Sequence, residues 1–155
     1  MKETKRISKL FEDLYDGTPW IDTNIAGTLR GLTAKQASKK VLPEWHSVWE
    51  ITEHLIKWRM HVAGRLQGKK INVGEDNYFE EIEDTSEKNW KETLHRLDGS
   101  QEEWLSFLKK LDEKTLDKVN PRSGMTYYEH IHSIIHHDVY HLGQIALLSK
   151  AVKPE

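Results

Sequence analysis

SEKNWKETLHRLDGSQEEWLSFLKKL, residues 86–111, decides the fold. Trp90, Leu94, Leu97, Gln101, Trp104, Leu108 and Leu111 recur at alternating steps of four and three, the spacing of a helix stripe that packs against other helices. The register runs unbroken through Asp98, Gly99 and Ser100, so one continuous helix is predicted despite the weak helix formers there, with any bend at Gly99.

The same pattern extends outward in both directions. Thr126 and Glu129 form a capping box that opens a final helix reaching about Lys150. Ser47 and Glu50 form another, opening a helix through Ile51, Leu55, Trp58, Val62 and Leu66 to about Gly68. Near the N-terminus Ile7, Leu10, Phe11, Leu14 and Tyr15 make an apolar stripe that pauses at Asp16 and Gly17. It is expected to resume with Thr18 as N-cap and Pro19 in the first helical position, carrying Ile21, Ile25, Thr28, Leu29 and Leu32. Thr33 and Gln36 cap a short helix that ends before Pro43. Periodicity is lost from Lys69 to Asp84, where Gly74, Asp76 and Asn77 mark the longest loop, a candidate cover for a site. No stretch alternates with period two. The reading is all-α, a four-helix bundle without internal repeats.

With 155 residues the chain is expected to form a single domain spanning 1–155. A net charge of −2, with both signs interspersed, gives no basic footprint, so no nucleic-acid partner is expected. Cysteine is absent, which excludes disulfides, iron–sulfur clusters and a thiolate nucleophile, and leaves histidine and carboxylate as metal ligands. That absence agrees with a cytoplasmic location. The first residues lead into an amphipathic segment, and no run of about 18 apolar residues occurs, so neither a signal peptide nor a membrane span is expected.

Nine histidines are sorted by helix geometry. His137 and His141 are four residues apart, which on a helix stacks their imidazoles on one face where they can share a metal ion. Taking Ile134 as the centre of the last helix's apolar face, His130, His137 and His141 lie on it, whereas His132 and His136 point roughly 160° away toward solvent. On the Ser47-capped helix His54 lies about 60° from Ile51, at an inward edge from which it reaches a neighbour. His61, about 80° from Ile51, and His95 are set aside. A lone histidine on an apolar face is ordinarily a hydrogen-bonded core residue, but three from two helices make a site of the kind bundles build, with a coordination position left open. Glu50 and Glu129 are better explained as capping partners than as chemical groups. Asp138 either orients a ligand imidazole or sits in an ordinary ion pair, and Gln144 either reaches a metal-bound water or packs at the bundle edge. The six tryptophans read as core or interface residues.

Trp49-Glu-Ile-Thr-Glu-His54-Leu and His137-Asp-Val-Tyr-His141-Leu-Gly-Gln144-Ile, with the opening Leu14-Tyr15-Asp16-Gly17-Thr18-Pro19-Trp20, resemble the DinB superfamily over essentially the whole chain. The resemblance implies an up-down-down-up four-helix bundle, usually a homodimer, with a divalent metal ion on three histidines, here His54, His137 and His141. Zinc or nickel suits three imidazoles, with iron or manganese as alternatives. Some relatives are thiol-dependent enzymes that use bacillithiol, mycothiol or glutathione. The expectation is a metal-dependent enzyme acting on a small-molecule substrate, a thiol S-transferase with a low-molecular-weight thiol first and a metal-dependent hydrolase second. The alternative is a non-catalytic, structural dimeric bundle. His130 is an additional inward histidine to which the resemblance gives no role.

Overall fold

The computed structural model describes residues 2–153. Six α-helices account for the regular structure: α1 Glu3–Tyr15, α2 Ile25–Arg30, α3 Ala34–Ser38, α4 Val48–Leu66, α5 Glu87–Lys110 and α6 Tyr127–Val152. A 3₁₀ turn follows α5 at Glu113–Thr115, and among the described residues there is no β-sheet.

The three capping boxes form as read. Thr33, Ser47 and Thr126 each accept from the backbone N–H three residues on, and Gln36, Glu50 and Glu129 each reach back to the cap. These bonds satisfy amides that a helix start leaves without partners, and so fix where α3, α4 and α6 begin. α5 passes straight through Gly99, as its stripe requires, with Trp90, Leu97, Gln101, Trp104 and Leu108 buried along one face.

The start of α2 differs from the expectation. Thr18 and Pro19 do not open a helix; residues 16–24 form turns, Asp22 has a left-handed φ of 56°, and α2 starts at Ile25. Asn24 takes the cap instead, its Oδ1 accepting from the Gly27 N–H at 2.7 Å and its Nδ2 donating to the Gly17 carbonyl at 2.8 Å. One side chain thus caps the helix and ties down the preceding turn, which Thr18 cannot do from six residues away. Ile21 is consequently exposed, while Ile25, Leu29 and Leu32 keep their places in the core.

The long helices α1, α4, α5 and α6 pack around two apolar clusters. One gathers Leu14, Trp49, Leu55, Trp90, Leu97 and Leu142; the other gathers Phe11, Val62, Trp104, Leu108, Ile131 and Ile134. Side-chain bonds tie the helices in register. Trp49 Nε1 donates to Thr93 Oγ1 at 2.9 Å, and Glu53 accepts from Arg96 further along both helices, so α4 and α5 lie side by side in the same sense. Against α6 the order reverses: the end of α4 receives Tyr127 OH at the Leu66 carbonyl, 2.6 Å away, while His54 meets His137. That reversal brings the first half of α4 against the middle of α6. Among the described residues no helix is long and apolar enough to cross a membrane.

Candidate metal centre

His54 comes from α4, and His137 and His141 from successive turns of α6. Their ligand-capable nitrogens all lie within 4.8 Å of one another, and the Nε2 atoms of His54 and His137 are 2.9 Å apart. His54 and His141 are buried, and His137 is half-buried. Of the four histidines that the helix-face count turns inward, the tertiary structure brings these three to one point.

The outer nitrogens decide what the inner ones can do. His54 Nδ1 lies 2.8 Å from the Asn77 carbonyl, which can only accept, so that nitrogen carries the proton and Nε2 presents a lone pair. His141 Nδ1 lies 2.7 Å from Gln144 Oε1, with the same consequence. Gln144 Nε2 donates in turn to Tyr140 OH at 3.2 Å, so both ends of the amide are hydrogen-bonded. Burial lowers the pKa of His54 to about 3 and of His141 to about 4, with the neighbouring imidazoles adding to the effect, so both rings are neutral near pH 7. Neutral, Nδ1-protonated imidazole is the form that ligates through Nε2.

His137 is the test of fit. Its Nδ1 lies 3.6 Å from Asp138 Oδ1, too far for a hydrogen bond, and neither atom has another partner. A neutral ring cannot satisfy both of its ends. With the proton on Nδ1, two Nε2 lone pairs face each other across 2.9 Å; with it on Nε2, a bare Nδ1 faces a carboxylate. A positive charge at Nε2, whether a proton or a metal cation, resolves the conflict, and a cation would be shared by all three rings.

Beneath the triad is a buried ion pair that the sequence did not reveal. Arg59 Nε and Nη2 donate to Asp138 Oδ2 at 3.1 and 2.7 Å, with both side chains inaccessible to solvent. Burial alone would raise the Asp138 pKa, but the Arg59 charge and the hydrogen bonds hold it below the usual carboxylate range. The two residues are 79 positions apart, and Arg59 follows Trp58 at the edge of the α4 stripe, where an arginine ordinarily reaches solvent. Both readings of Asp138 thus meet in one side chain: it forms an ion pair and flanks a candidate ligand.

The loop between α4 and α5 is part of the site. Asn77 and Tyr78 adopt left-handed φ angles of 50° and 65°, uncommon for non-glycine residues and strained for tyrosine. This turn aims the Asn77 carbonyl at His54, stacks Phe79 on the His54 ring at 3.9 Å, and sends Tyr78 OH to His61 Nδ1 at 2.9 Å. His46, missed by the sequence reading, stacks on the other part of this assembly, 3.7 Å from Phe79. Above the triad opens a cavity of about 870 Å³, mostly apolar, lined by Trp45, Trp58, Phe79, Tyr140 and Leu147 among others.

The remaining histidines sort less simply. His130 is buried but stands apart from the triad, its Nε2 2.7 Å from Ser123 Oγ. His61 is buried too, accepting from Arg65 at 2.7 Å. His136 is exposed as read, whereas His132 is half-buried and packs on Tyr128 at 4.2 Å, because an aromatic neighbour one turn earlier covers that flank. Among the tryptophans Trp49, Trp90 and Trp104 are core residues, but Trp20 is 96% exposed and Trp45 53% exposed, both in turns rather than on helix stripes.

A crystal structure titled "conserved protein of locus from Enterococcus faecalis" superposes with a TM-score of 0.75 at 17% identity, covering 98% of each chain. At that identity it establishes a shared fold. No curated protein matches the chain. The family profile of the DinB superfamily matches residues 22–145, a span that contains all three converging histidines. The chain belongs to the DinB superfamily.

Proposed function

We propose that this protein is a metal-dependent enzyme in which His54, His137 and His141 hold a divalent cation, zinc or nickel first and iron or manganese next, at the floor of an open cavity. The observation that supports it is the convergence of their nitrogens within 4.8 Å, with the outer nitrogens of two rings already tied to oxygen acceptors. Three protein nitrogens leave a position for a reactant. A bound cation of this kind lowers the pKa of a thiol or water that reaches it, so that a nucleophile exists near neutral pH.

The chain's own residues supply the rest. Asn77 and Gln144 hold two imidazoles in the ligating tautomer, and Asp138 stands ready to accept from His137 Nδ1. Phe79 and Trp58 cover the rings and limit water at the floor. Thiol S-transfer is the first reading and metal-assisted hydrolysis the second; since the chain has no cysteine, the thiol of an S-transfer must come from a small-molecule cosubstrate. A cytoplasmic homodimer completes the proposal; size-exclusion chromatography with light scattering checks the dimer.

Elemental analysis of untagged protein tests the central step. About one equivalent of metal in the wild type, and none in a folded His141→Ala variant, is expected. A screen of low-molecular-weight thiols against an aryl halide should then show turnover by the loaded wild type alone. Equal turnover by metal-free His141→Ala protein would overturn the reading.

A further inference from the structure

The cavity above the triad has a charge pattern that narrows what it can take. Its lining is apolar and aromatic, and Glu44 is the one lysine, arginine or acidic side chain among the lining residues described. Glu44 lies in the α3–α4 connection, is exposed, and pairs with no basic side chain among the described residues. Next to it in sequence Trp45 is half exposed, and from α6 Tyr140 and Leu147 are 64% and 71% exposed, so the mouth is formed by aromatic and aliphatic surface with one free carboxylate.

These features act in the same direction. An unpaired carboxylate attracts a cation, and the faces of tryptophan and tyrosine do so too. An anionic group entering here would meet a like charge and no lysine or arginine to receive it. The apolar wall between mouth and floor rewards a hydrocarbon or aromatic body. We infer that the ligand of this cavity is an amphipathic small molecule with an apolar or aromatic body, a donor group that goes to the floor, and an outer end that is cationic or uncharged rather than anionic. The floor assignment rests on the metal-site reading, whereas the selection at the mouth depends only on Glu44 and its aromatic neighbours. For a thiol-transfer reaction the part of the substrate lodged between mouth and floor is accordingly not a carboxylate-bearing chain.

Trimethyl(4-phenylbutyl)ammonium and 4-phenylbutane-1-sulfonate test this by calorimetry, since they share one body, carry opposite charges, and are both poor metal ligands. In metal-free protein, where no floor cation offsets Glu44, the ammonium is expected to bind several-fold tighter. Glu44→Gln should shrink that ratio several-fold, and Leu147→Arg, at an exposed position, should invert the preference. Equal or tighter sulfonate binding, a ratio indifferent to both variants, or no binding of either probe below millimolar concentration would overturn the inference. Running both probes with and without added zinc separates the two readings. Charge selection in metal-free protein without zinc uptake would refute the metal site alone, and zinc uptake by a protein that shows no charge selection before zinc is added would refute this inference alone.

Discussion

Asp138 is fully enclosed, and its two oxygens have different tasks: Oδ2 takes both donors from Arg59, while Oδ1 faces His137 Nδ1. Asp138→Asn should cost roughly 3–5 kcal/mol of stability, because it strands the Arg59 guanidinium in the core. Zinc affinity should fall about 10–100-fold with loss of the carboxylate beside a candidate ligand. Pairing Asp138→Leu with Arg59→Met removes both charges, so stability should largely recover while zinc affinity stays low; urea unfolding and chelator competition measure the two. Recovery of affinity along with stability would show that Asp138 serves packing only. The buried histidines give a pH dependence of definite sign in metal-free protein. Burial first, and the Arg65 charge next, lower the pKa of His61 and His130, and burial lowers His54 to about 3 and His141 to about 4. The unfolded chain, with histidine near 6.5, therefore takes up protons first, so these groups' contribution is complete above about pH 6.5 and is lost as pH falls toward the folded values. The urea midpoint should drop between pH 7.5 and 5, above the range where most carboxylates titrate; a flat profile would contradict neutral burial.

Helix starts are the elements most completely written in local sequence. Ser47 and Glu50 are both buried and exchange bonds at the head of α4, with Lys40 adding a 3.1 Å ion pair to Glu50. Ser47→Ala should lower stability by about 1–2 kcal/mol, the upper part of the range for caps, because water cannot reach the amide it leaves bare. A loss under about 0.3 kcal/mol in urea titration would mean that α4 is fixed by packing rather than by its cap. The loop from Lys69 to Asp84 obeys other rules. Ile71 sits in the space that a Cβ on Gly64 would need, and the Asn77 and Tyr78 turn is left-handed. Gly64→Ala should therefore loosen the loop, seen as faster amide exchange at residues 76–80, even though alanine ordinarily favours a helix by about 1 kcal/mol. Unchanged exchange there would mean that Ile71 simply turns aside. Sequence predicted an irregular cover in this region, and the strained turn that makes it part of the site came from contacts with His54 and His61 across the fold.

At the scale of the whole molecule, metal binding should appear as stability, since a cation bound to the folded state alone adds about 2.7 kcal/mol at a free concentration one hundred times its Kd. For a chain of this length that is a rise in Tm of roughly 5–10 °C, reversed by a chelator and absent in His54→Ala, readable by calorimetry. No shift with zinc or nickel would count against the site. What the sequence alone determined is what repeats along it: the caps at Thr33, Ser47 and Thr126, the α5 stripe that crosses Gly99, and the shared face of His137 and His141. Its one misplaced start, at Thr18, arose where two plausible caps compete and only the bond from Asn24 back to Gly17 favours the second. Tertiary structure decided the rest: the approach of His54 to His137 across 83 positions, the Arg59–Asp138 pair across 79, and the Asn77 carbonyl on His54. The reason is physical. Periodicity fixes the angle of a side chain about its own helix axis, whereas the distance between two axes, and so which inward groups meet, is set by the packing of every other side chain between them.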